Sequence, residues 1–336
     1  MQQSALTDPS SLRDLLLARG HISGKPEEWT IQRFPSNPKR ADAATRGRFV
    51  LSSSSEPPKL LTVDAQKTDL AERCKSFARA CPDLTCPVLF HSSDDDGHVI
   101  AHELFPGVPI DLAVENGFLT APEAVALLRQ ALHVLDRTSH SSRPRSRETE
   151  FGELTARIAE ISDLDPSDLR FLMDDALPSL RAACVKLPAR VRWTNGDFIA
   201  SNVLVSRDRR IRLIDYEFAR VTSFPEEDWF RFMNVGHASP ELARLVRAES
   251  GEQPKWIHLY FWLRQLALEA RVNNHRLFAA SLPALLSCIR SAHSLIAPTS
   301  GAQSRVPAPL RPITQALRSF FPRSKLPASL QHPPEG

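Results

Sequence analysis

The spacing of hydrophobic residues predicts that the first third of the chain is rich in strands. Short apolar runs, separated by clusters of Pro, Asp, Gly and Ser, are typical of strands in a small sheet. These runs lie at residues 29–34, 47–52, 60–63, 88–91 and 99–104. One helix is predicted among them at 68–80, where Leu70, Cys74 and Phe77 recur at helical spacing. A helical lead-in at 1–26 precedes the strands.

From residue 121 onward, apolar residues recur every three or four positions, which predicts a series of helices. The first of these helices has Val125, Leu128 and Leu132 on one stripe. The later helices are predicted at 150–161, 166–187, 226–234, 240–248, 255–272 and 279–296. A short β-hairpin interrupts them, with strands at 203–205 and 211–214. The predicted fold class is therefore α+β, with a β-rich N-terminal part and a larger helical C-terminal part.

The composition indicates a globular protein and excludes several classes of function. Apolar residues make up 42% of the chain, and 42 Lys and Arg stand against 39 Asp and Glu. We expect no nucleic acid as a partner, because no basic cluster marks the folded part. The five cysteines form no C-x-x-C pair, which argues against zinc and favours a reduced, cytoplasmic protein. We expect no signal peptide, because Asp8, Arg13 and Asp14 stand where its apolar core would be. We expect no transmembrane segment, because no apolar run is long enough to span a bilayer.

Polar residues that can carry chemistry surround the predicted hairpin. Asp197 and Asn202 lie on the loop that leads into its first strand, and Asp215 ends its second strand. Because a hairpin returns the chain beside itself, Asn202 and Asp215 are expected to converge at one end. An amide and a carboxylate oxygen suit Mg²⁺, which takes further ligands from water and phosphates. Asp197 would then orient a hydroxyl and accept its proton, as phosphoryl transfer requires. Alternatively, all three are ordinary turn and cap residues.

Residues 195–202, followed by 213–219, resemble a two-part motif of the aminoglycoside phosphotransferase and choline kinase family. That motif is a His-Gly-Asp-x-x-x-x-Asn loop followed by Ile-Asp-x-x-x-Ala. The resemblance extends weakly over 27–297 and implies a two-lobed, protein-kinase-like fold with ATP and Mg²⁺ as cofactors. It further implies that Asp197 is the catalytic base and that Asn202 and Asp215 bind the metal.

The resemblance also implies a domain organisation and two more nucleotide-binding residues. Residues 27–105 would form the nucleotide-binding lobe, and 106–297 the catalytic and substrate lobe. Glu103, in a hinge-like segment, and Glu72, which is similar to the acidic partner of the nucleotide-binding lysine, are implied to serve nucleotide binding. Residues 298–336 are rich in Pro, Ser and Arg and are predicted to form a disordered basic tail.

Two positions depart from the family pattern. Asn195 stands where the family has His, and its amide can donate and accept hydrogen bonds to hold the loop. Thr62 stands where the family has its phosphate-binding lysine. Lys59, three positions earlier, is expected on the opposite face of the strand, because side chains alternate.

Other cations near Thr62 are candidates to replace the lysine. Lys67 follows in the next turn and would reach in only if that loop folded back. Arg46 and Arg48 flank Gly47, and either could supply the charge, although solvation at the surface is the simpler interpretation.

The charges of the last predicted helices bear on the acceptor. Between residues 231 and 297, eight basic residues stand against four acidic ones. This excess argues against a polycationic substrate and favours a neutral or anionic hydroxyl compound, such as a sugar or glycan. The alternative is that these charges are solvated helix faces. Three functions stay open: a small-molecule kinase, a catalytically weak or inactive kinase-like protein that regulates by binding nucleotide or a partner, and a membrane-surface interaction protein that uses its tail.

The tail contains a short basic amphipathic stretch at 312–325. Ile313, Leu317, Phe320 and Phe321 recur at helical spacing among Arg and Lys residues. This composition predicts weak peripheral contact with an anionic membrane surface. The alternative is a disordered tail with scattered hydrophobic residues.

Overall fold

The computed structural model describes residues 6, 8–33, 46–64, 70–94, 97–138, 146–188, 190–216, 218–234, 239–272 and 275–297. The predictions for Lys67 and the tail 298–336 lie outside the described residues. The described chain forms two compact units. The first contains the chain up to Val134 together with Ala200–Arg220. The second contains Leu135–Ile199 together with the chain from Val221 onward.

A five-stranded antiparallel sheet dominates the first unit. Its strands are β1 (Trp29–Arg33), β2 (Arg46–Ser53), β3 (Lys59–Asp64), β4 (Val88–Asp94) and β5 (Gly97–Glu103), in the order β1-β2-β3-β5-β4. The two accompanying helices are α1 (Pro9–Ala18) and α2 (Leu70–Ala80). All five predicted strands and the helix predicted at 68–80 are confirmed, with ends that shift by a few residues, and α1 covers only the middle of the lead-in predicted at 1–26.

The two faces of this sheet carry different side chains. Phe49 and Leu61 belong to a buried cluster with Leu12 and Leu16 of α1. Successive side chains of a strand point to opposite faces, so Thr62 lies on the face away from α1. Along β3 the burial alternates in the same way, from buried Leu61 to half-buried Thr62. This second face is the one that bears on the candidate site.

The first unit also contains the predicted hairpin. Strands β6 (Gly107–Pro109), β8 (Val203–Ser206) and β9 (Ile211–Leu213) form a three-stranded sheet in the order β6-β8-β9. Helix α3 (Ile110–Glu115) and most of α4 (Ala121–Arg137) belong to the same unit. Both predicted hairpin strands are confirmed, whereas β6 was not predicted.

The second unit is mainly helical and is built around one buried helix. Its helices are α5 (Arg147–Ala159), α6 (Pro166–Arg170), α7 (Leu177–Cys184), α8 (Glu226–Asn234), α9 (Pro240–Ser250), α10 (Lys255–Val272) and α11 (His275–Ser294). Strands β7 (Arg192–Thr194) and β10 (Arg220–Thr222) pair with each other. Helix α10 buries Ile257, Leu259 and Leu263 completely, as expected of a central helix.

One predicted helix of this unit, 166–187, contains an irregular turn. A π-helical turn (Phe171–Ala176) joins α6 to α7. Pro178 follows it and has no backbone N–H to donate to the carbonyl four residues earlier. A π-helical turn is a common way for a helix to adjust its hydrogen-bond ladder.

The cysteines in the first unit lie inside the protein. Cys74, Cys81 and Cys86 are buried and form no disulfide among the described residues, as expected for small hydrophobic residues. None of the described helices is both long enough and apolar enough to cross a membrane.

Candidate functional site

The predicted site residues fall in both units, and each group is described within its own unit. In the first unit, the hairpin positions Asn202 and Asp215. Val203 pairs with Leu213, and the backbone N–H of Ile214 donates to the carbonyl of Asn202 at 2.9 Å. Asn202 and Asp215 therefore lie at the same end of the hairpin, as hairpin geometry predicted.

Asp215 has an unusual backbone conformation. Its φ of 57° lies in the left-handed region, which Asp tolerates better than most residues. Such a conformation costs about 1–3 kcal/mol and persists where the surrounding structure holds it. This backbone conformation sets the direction in which the side chain of Asp215 leaves the chain.

Arg48 contacts this carboxylate directly. Its Nη2 donates to Oδ1 of Asp215, and the two side chains are 33% and 17% exposed. Arg48 lies on β2 directly opposite Thr62 of β3. Surface solvation, the simpler interpretation from the sequence, is thus wrong for Arg48, because its guanidinium is held in an ion pair.

Lys59 lies on the other face of the sheet, as the alternation of side chains predicted. Its ammonium is 4.9 Å from the centre of the Trp29 ring and pairs with Glu56. Lys59 therefore interacts on the side that faces α1, away from Thr62.

The two glutamates that were expected to serve nucleotide binding, Glu72 and Glu103, both have exposed side chains. Glu72 lies in the first turn of α2, with a carboxylate that is 66% exposed and 2.8 Å from the ammonium of Lys75. The hydrogen bond from Lys75 lowers the pKa of Glu72. Glu103 ends β5 with an exposed side chain. The nucleotide-binding roles of both residues stay predictions.

Tyr216 anchors the segment that follows β9. Its hydroxyl lies 2.9 Å from Nδ1 of His102 on β5, and its ring is 5.3 Å from that of Phe77 on α2. Burial lowers the pKa of His102 to about 4, so this imidazole is neutral near pH 7. A neutral imidazole offers one donor and one acceptor, which suits a buried tyrosine hydroxyl. This contact was not predicted from the sequence, although Tyr216 directly follows Asp215 in the motif.

In the second unit, a buried carboxylate holds the loop that carries Asp197. Asp228, on α8, accepts hydrogen bonds from the backbone N–H groups of Asn195 at 3.1 Å and Gly196 at 3.2 Å. Oδ1 of Asn195 accepts the N–H of Asp197 at 3.1 Å. Burial raises the pKa of Asp228 to about 6, although Arg192 and the two loop N–H groups oppose the shift. The side chain of Asn195 thus helps to hold the loop.

Arg231 pairs with the predicted catalytic base. Its Nε lies 2.8 Å from Oδ1 of Asp197, and its side chain is 4% exposed. Its Nη1 donates to Oε1 of Gln265 at 3.1 Å. Arg231 follows Asp228 by three residues, so both face the loop from one side of α8. From the sequence alone, Arg231 was only one of the eight basic residues between 231 and 297.

The oxygen atoms of Asn202 and Asp215 are suitable ligands for a hard divalent cation. An amide and a carboxylate oxygen are typical protein ligands of Mg²⁺. A carboxylate offers about four lone-pair positions, so one guanidinium does not saturate Asp215. Within the described ranges, no group of three or more His, Cys, Asp or Glu side chains could hold a metal. An amide and a carboxylate oxygen suit a metal that takes its remaining ligands from a phosphate and water.

Comparisons with known proteins show the architecture. No family model matches the sequence, and no curated protein matches it. A thermostable mutant of aminoglycoside phosphotransferase APH(4)-Ia, in ternary complex with ADP and hygromycin B, aligns with a TM-score of 0.65 at 13% identity. The alignment covers 86% of this chain and 100% of that chain.

Two other solved structures share the architecture. The ADP-bound aminoglycoside phosphotransferase APH(2'')-Ib aligns with a TM-score of 0.56 at 13% identity, over 82% of this chain and 97% of that one. A choline/ethanolamine kinase family protein from Mesorhizobium loti aligns with a TM-score of 0.52 at 14% identity, over 87% and 93%. The chain therefore has the kinase-like fold of the aminoglycoside phosphotransferases and choline kinases.

Proposed function

We propose that the protein is an ATP- and Mg²⁺-dependent phosphotransferase that acts on a hydroxyl group of a small molecule. The observation that carries this proposal is the placement of Asn202 and Asp215 at one end of the hairpin. The catalytic loop with Asp197 precedes this hairpin in the chain. The structural neighbours crystallised with ADP support nucleotide binding.

Each residue has a defined part in the proposed reaction. The carboxylate of Asp197 orients the acceptor hydroxyl and takes its proton as the hydroxyl oxygen bonds to the γ-phosphorus of ATP. The bond between the γ-phosphorus and the bridging oxygen breaks, and ADP leaves. Arg231 keeps Asp197 in one orientation, and Asp228 holds the loop. Asn202 and Asp215 hold Mg²⁺, which would neutralise charge on the phosphates during transfer.

We propose a neutral or anionic acceptor, such as a sugar or glycan. Between residues 231 and 297, eight basic residues stand against four acidic ones. The basic residues that pair with carboxylates outside that range include Arg231 with Asp197, Arg264 with Glu227, and Arg290 with Asp168. This balance does not favour a polycation, because cationic substrates are met by an excess of carboxylates.

The effect of Mg²⁺ on ATP binding tests whether the protein binds the nucleotide together with the metal. Asp215→Ala removes a predicted metal ligand, and we expect Mg²⁺ to strengthen ATP binding in the wild type but not in this variant. Titration calorimetry with ATP, with and without Mg²⁺, measures the difference. Asp208→Ala, at the exposed tip of the same hairpin beside Arg210, is the matched control and should behave like the wild type. Unchanged metal dependence in Asp215→Ala would remove Asp215 from the site.

The alternative function is a kinase-like protein without turnover, which regulates by binding nucleotide or a partner. Thr62 at the position of the expected lysine favours it, and so does the ion pair of Arg48 with Asp215. This alternative predicts that the protein binds ATP or a partner and transfers no phosphoryl group.

A further inference from the structure

One row of side chains crosses three strands of the sheet in the first unit. Arg48 of β2 lies opposite Thr62 of β3, and Thr62 lies opposite Ile100 of β5. Directly opposed residues of antiparallel strands place their side chains on the same face. Arg48 and Thr62 are therefore neighbours on the face away from α1.

Other described cations near this position have different environments. Lys59 lies on the opposite face beside Trp29. The guanidinium of Arg33 lies 5.8 Å from the centre of the Phe49 ring, on that same opposite face. Lys75 of α2 pairs with Glu72. Arg48, in contrast, already extends from the Thr62 face to the carboxylate of Asp215.

We propose that Arg48 takes the place of the lysine absent at Thr62 and binds the phosphates of the nucleotide from β2 instead of β3. This inference rests on the proposed function. Adjacent strands are about 4.8 Å apart, a distance that a long side chain can bridge. A guanidinium is always charged near neutral pH and matches a phosphate with two parallel hydrogen bonds.

The ion pair with Asp215 defines the state without ligand. In that state Arg48 neutralises Asp215, a carboxylate that is mostly buried. When the nucleotide binds, Arg48 moves from Asp215 to the phosphates. The carboxylate of Asp215 is then available to Mg²⁺. Arg48 therefore couples nucleotide binding to metal binding, because one guanidinium exchanges between Asp215 and the phosphates.

Variants that move the positive charge from position 48 to position 62 test this inference. The affinity for the non-hydrolysable nucleotide AMP-PNP with Mg²⁺ is measured by calorimetry on the full chain, so no acceptor is needed. Arg48→Met should weaken binding roughly 10- to 100-fold, the usual effect of losing a charge-assisted hydrogen bond. The double variant Arg48→Met/Thr62→Lys should recover most of that affinity. Lys59→Met removes a charge from the opposite face of the sheet and should bind like the wild type.

The outcomes separate this inference from the proposed function. Thermal melting of each variant without ligand establishes that it is folded, and Arg48→Lys, which keeps the charge, should bind better than Arg48→Met. If the wild type binds AMP-PNP and Arg48→Met binds it equally well or more tightly, the role of Arg48 is refuted while the function stands. No gain in the double variant over Arg48→Met also refutes that role. If the wild type binds no nucleotide, both proposals fail.

Discussion

At the scale of single residues, Asp228, which holds the loop that carries Asp197, makes the stability of the protein depend on pH. Its carboxyl has a pKa raised from 3.8 to about 6 by burial, so the folded protein binds this proton more tightly than the unfolded chain does. The stabilising contribution of the group is fully present below pH 3.8 and is lost as pH rises through about 6. The shift of roughly two pH units corresponds to about 3 kcal/mol.

We predict that Asp228→Asn flattens the pH dependence of stability. Its neutral side chain does not titrate, so the fall in the free energy of unfolding between pH 5 and pH 7 should be smaller than in the wild type. Urea unfolding at several pH values measures this. Asp165→Asn, at the exposed N-terminal cap of α6, is the control and should keep the wild-type slope above pH 5.5. A slope in Asp228→Asn equal to that of the wild type would contradict the raised pKa.

The site residues also show what a sequence can reveal about chemistry. The hairpin placed Asn202 and Asp215 together, because strand pairing is local. The arginine partners of Asp215 and Asp197 could not be found this way. Arg48 is 167 positions from Asp215, and Arg231 is 34 positions from Asp197. Such ion pairs depend on how distant elements pack, and no local spacing encodes that.

At the scale of elements, long helices and strands were easier to predict from the sequence than short ones. The long periodic helices and the five sheet strands could be predicted, because each carries several apolar residues in phase. Strands β6, β7 and β10 have three residues each, too few to show a period. Strand β9 is equally short, but it could be predicted because a short polar segment joins it to β8. Gly107 of β6 pairs with Ser206 of β8, so this strand exists through a partner far along the chain.

The contact between Tyr216 and β5 yields a prediction at this scale. Tyr216→Phe keeps the ring but removes the hydroxyl that bonds to buried His102. We expect a loss of about 1–3 kcal/mol of stability, the typical cost of an unpaired buried polar group. Because Asp215 precedes Tyr216, binding of the nucleotide with Mg²⁺ should weaken as well.

A double-mutant cycle with His102→Leu serves as the control for that prediction. Chemical unfolding of the two single variants and of Tyr216→Phe/His102→Leu gives the coupling energy. Losses that add without coupling would show that the hydroxyl and the imidazole do not stabilise each other.

At the scale of the whole molecule, the fold is shared with proteins that have almost no common sequence. Identities of 13–14% accompany TM-scores of 0.52–0.65 over most of the chain. A fold can persist at low sequence identity when the periodic pattern of apolar residues is kept, because different side chains of similar volume can fill the same core. Function depends instead on a few polar residues, so it has to be tested at Asp197, Asn202, Asp215 and Arg48.

Phosphoryl transfer itself tests the central claim most directly. Phosphorus NMR of ATP with Mg²⁺, recorded with a panel of sugars, glycans and simple alcohols, compares the wild type with Asp197→Asn. Glu148→Gln, which alters an exposed ion pair with Arg181, is the control. We predict that the wild type and the control form ADP and a phosphorylated acceptor, and that Asp197→Asn is slower by about two orders of magnitude while it still binds ATP. A wild type that binds ATP with Mg²⁺ but consumes it no faster than Asp197→Asn, with every acceptor, would contradict the account.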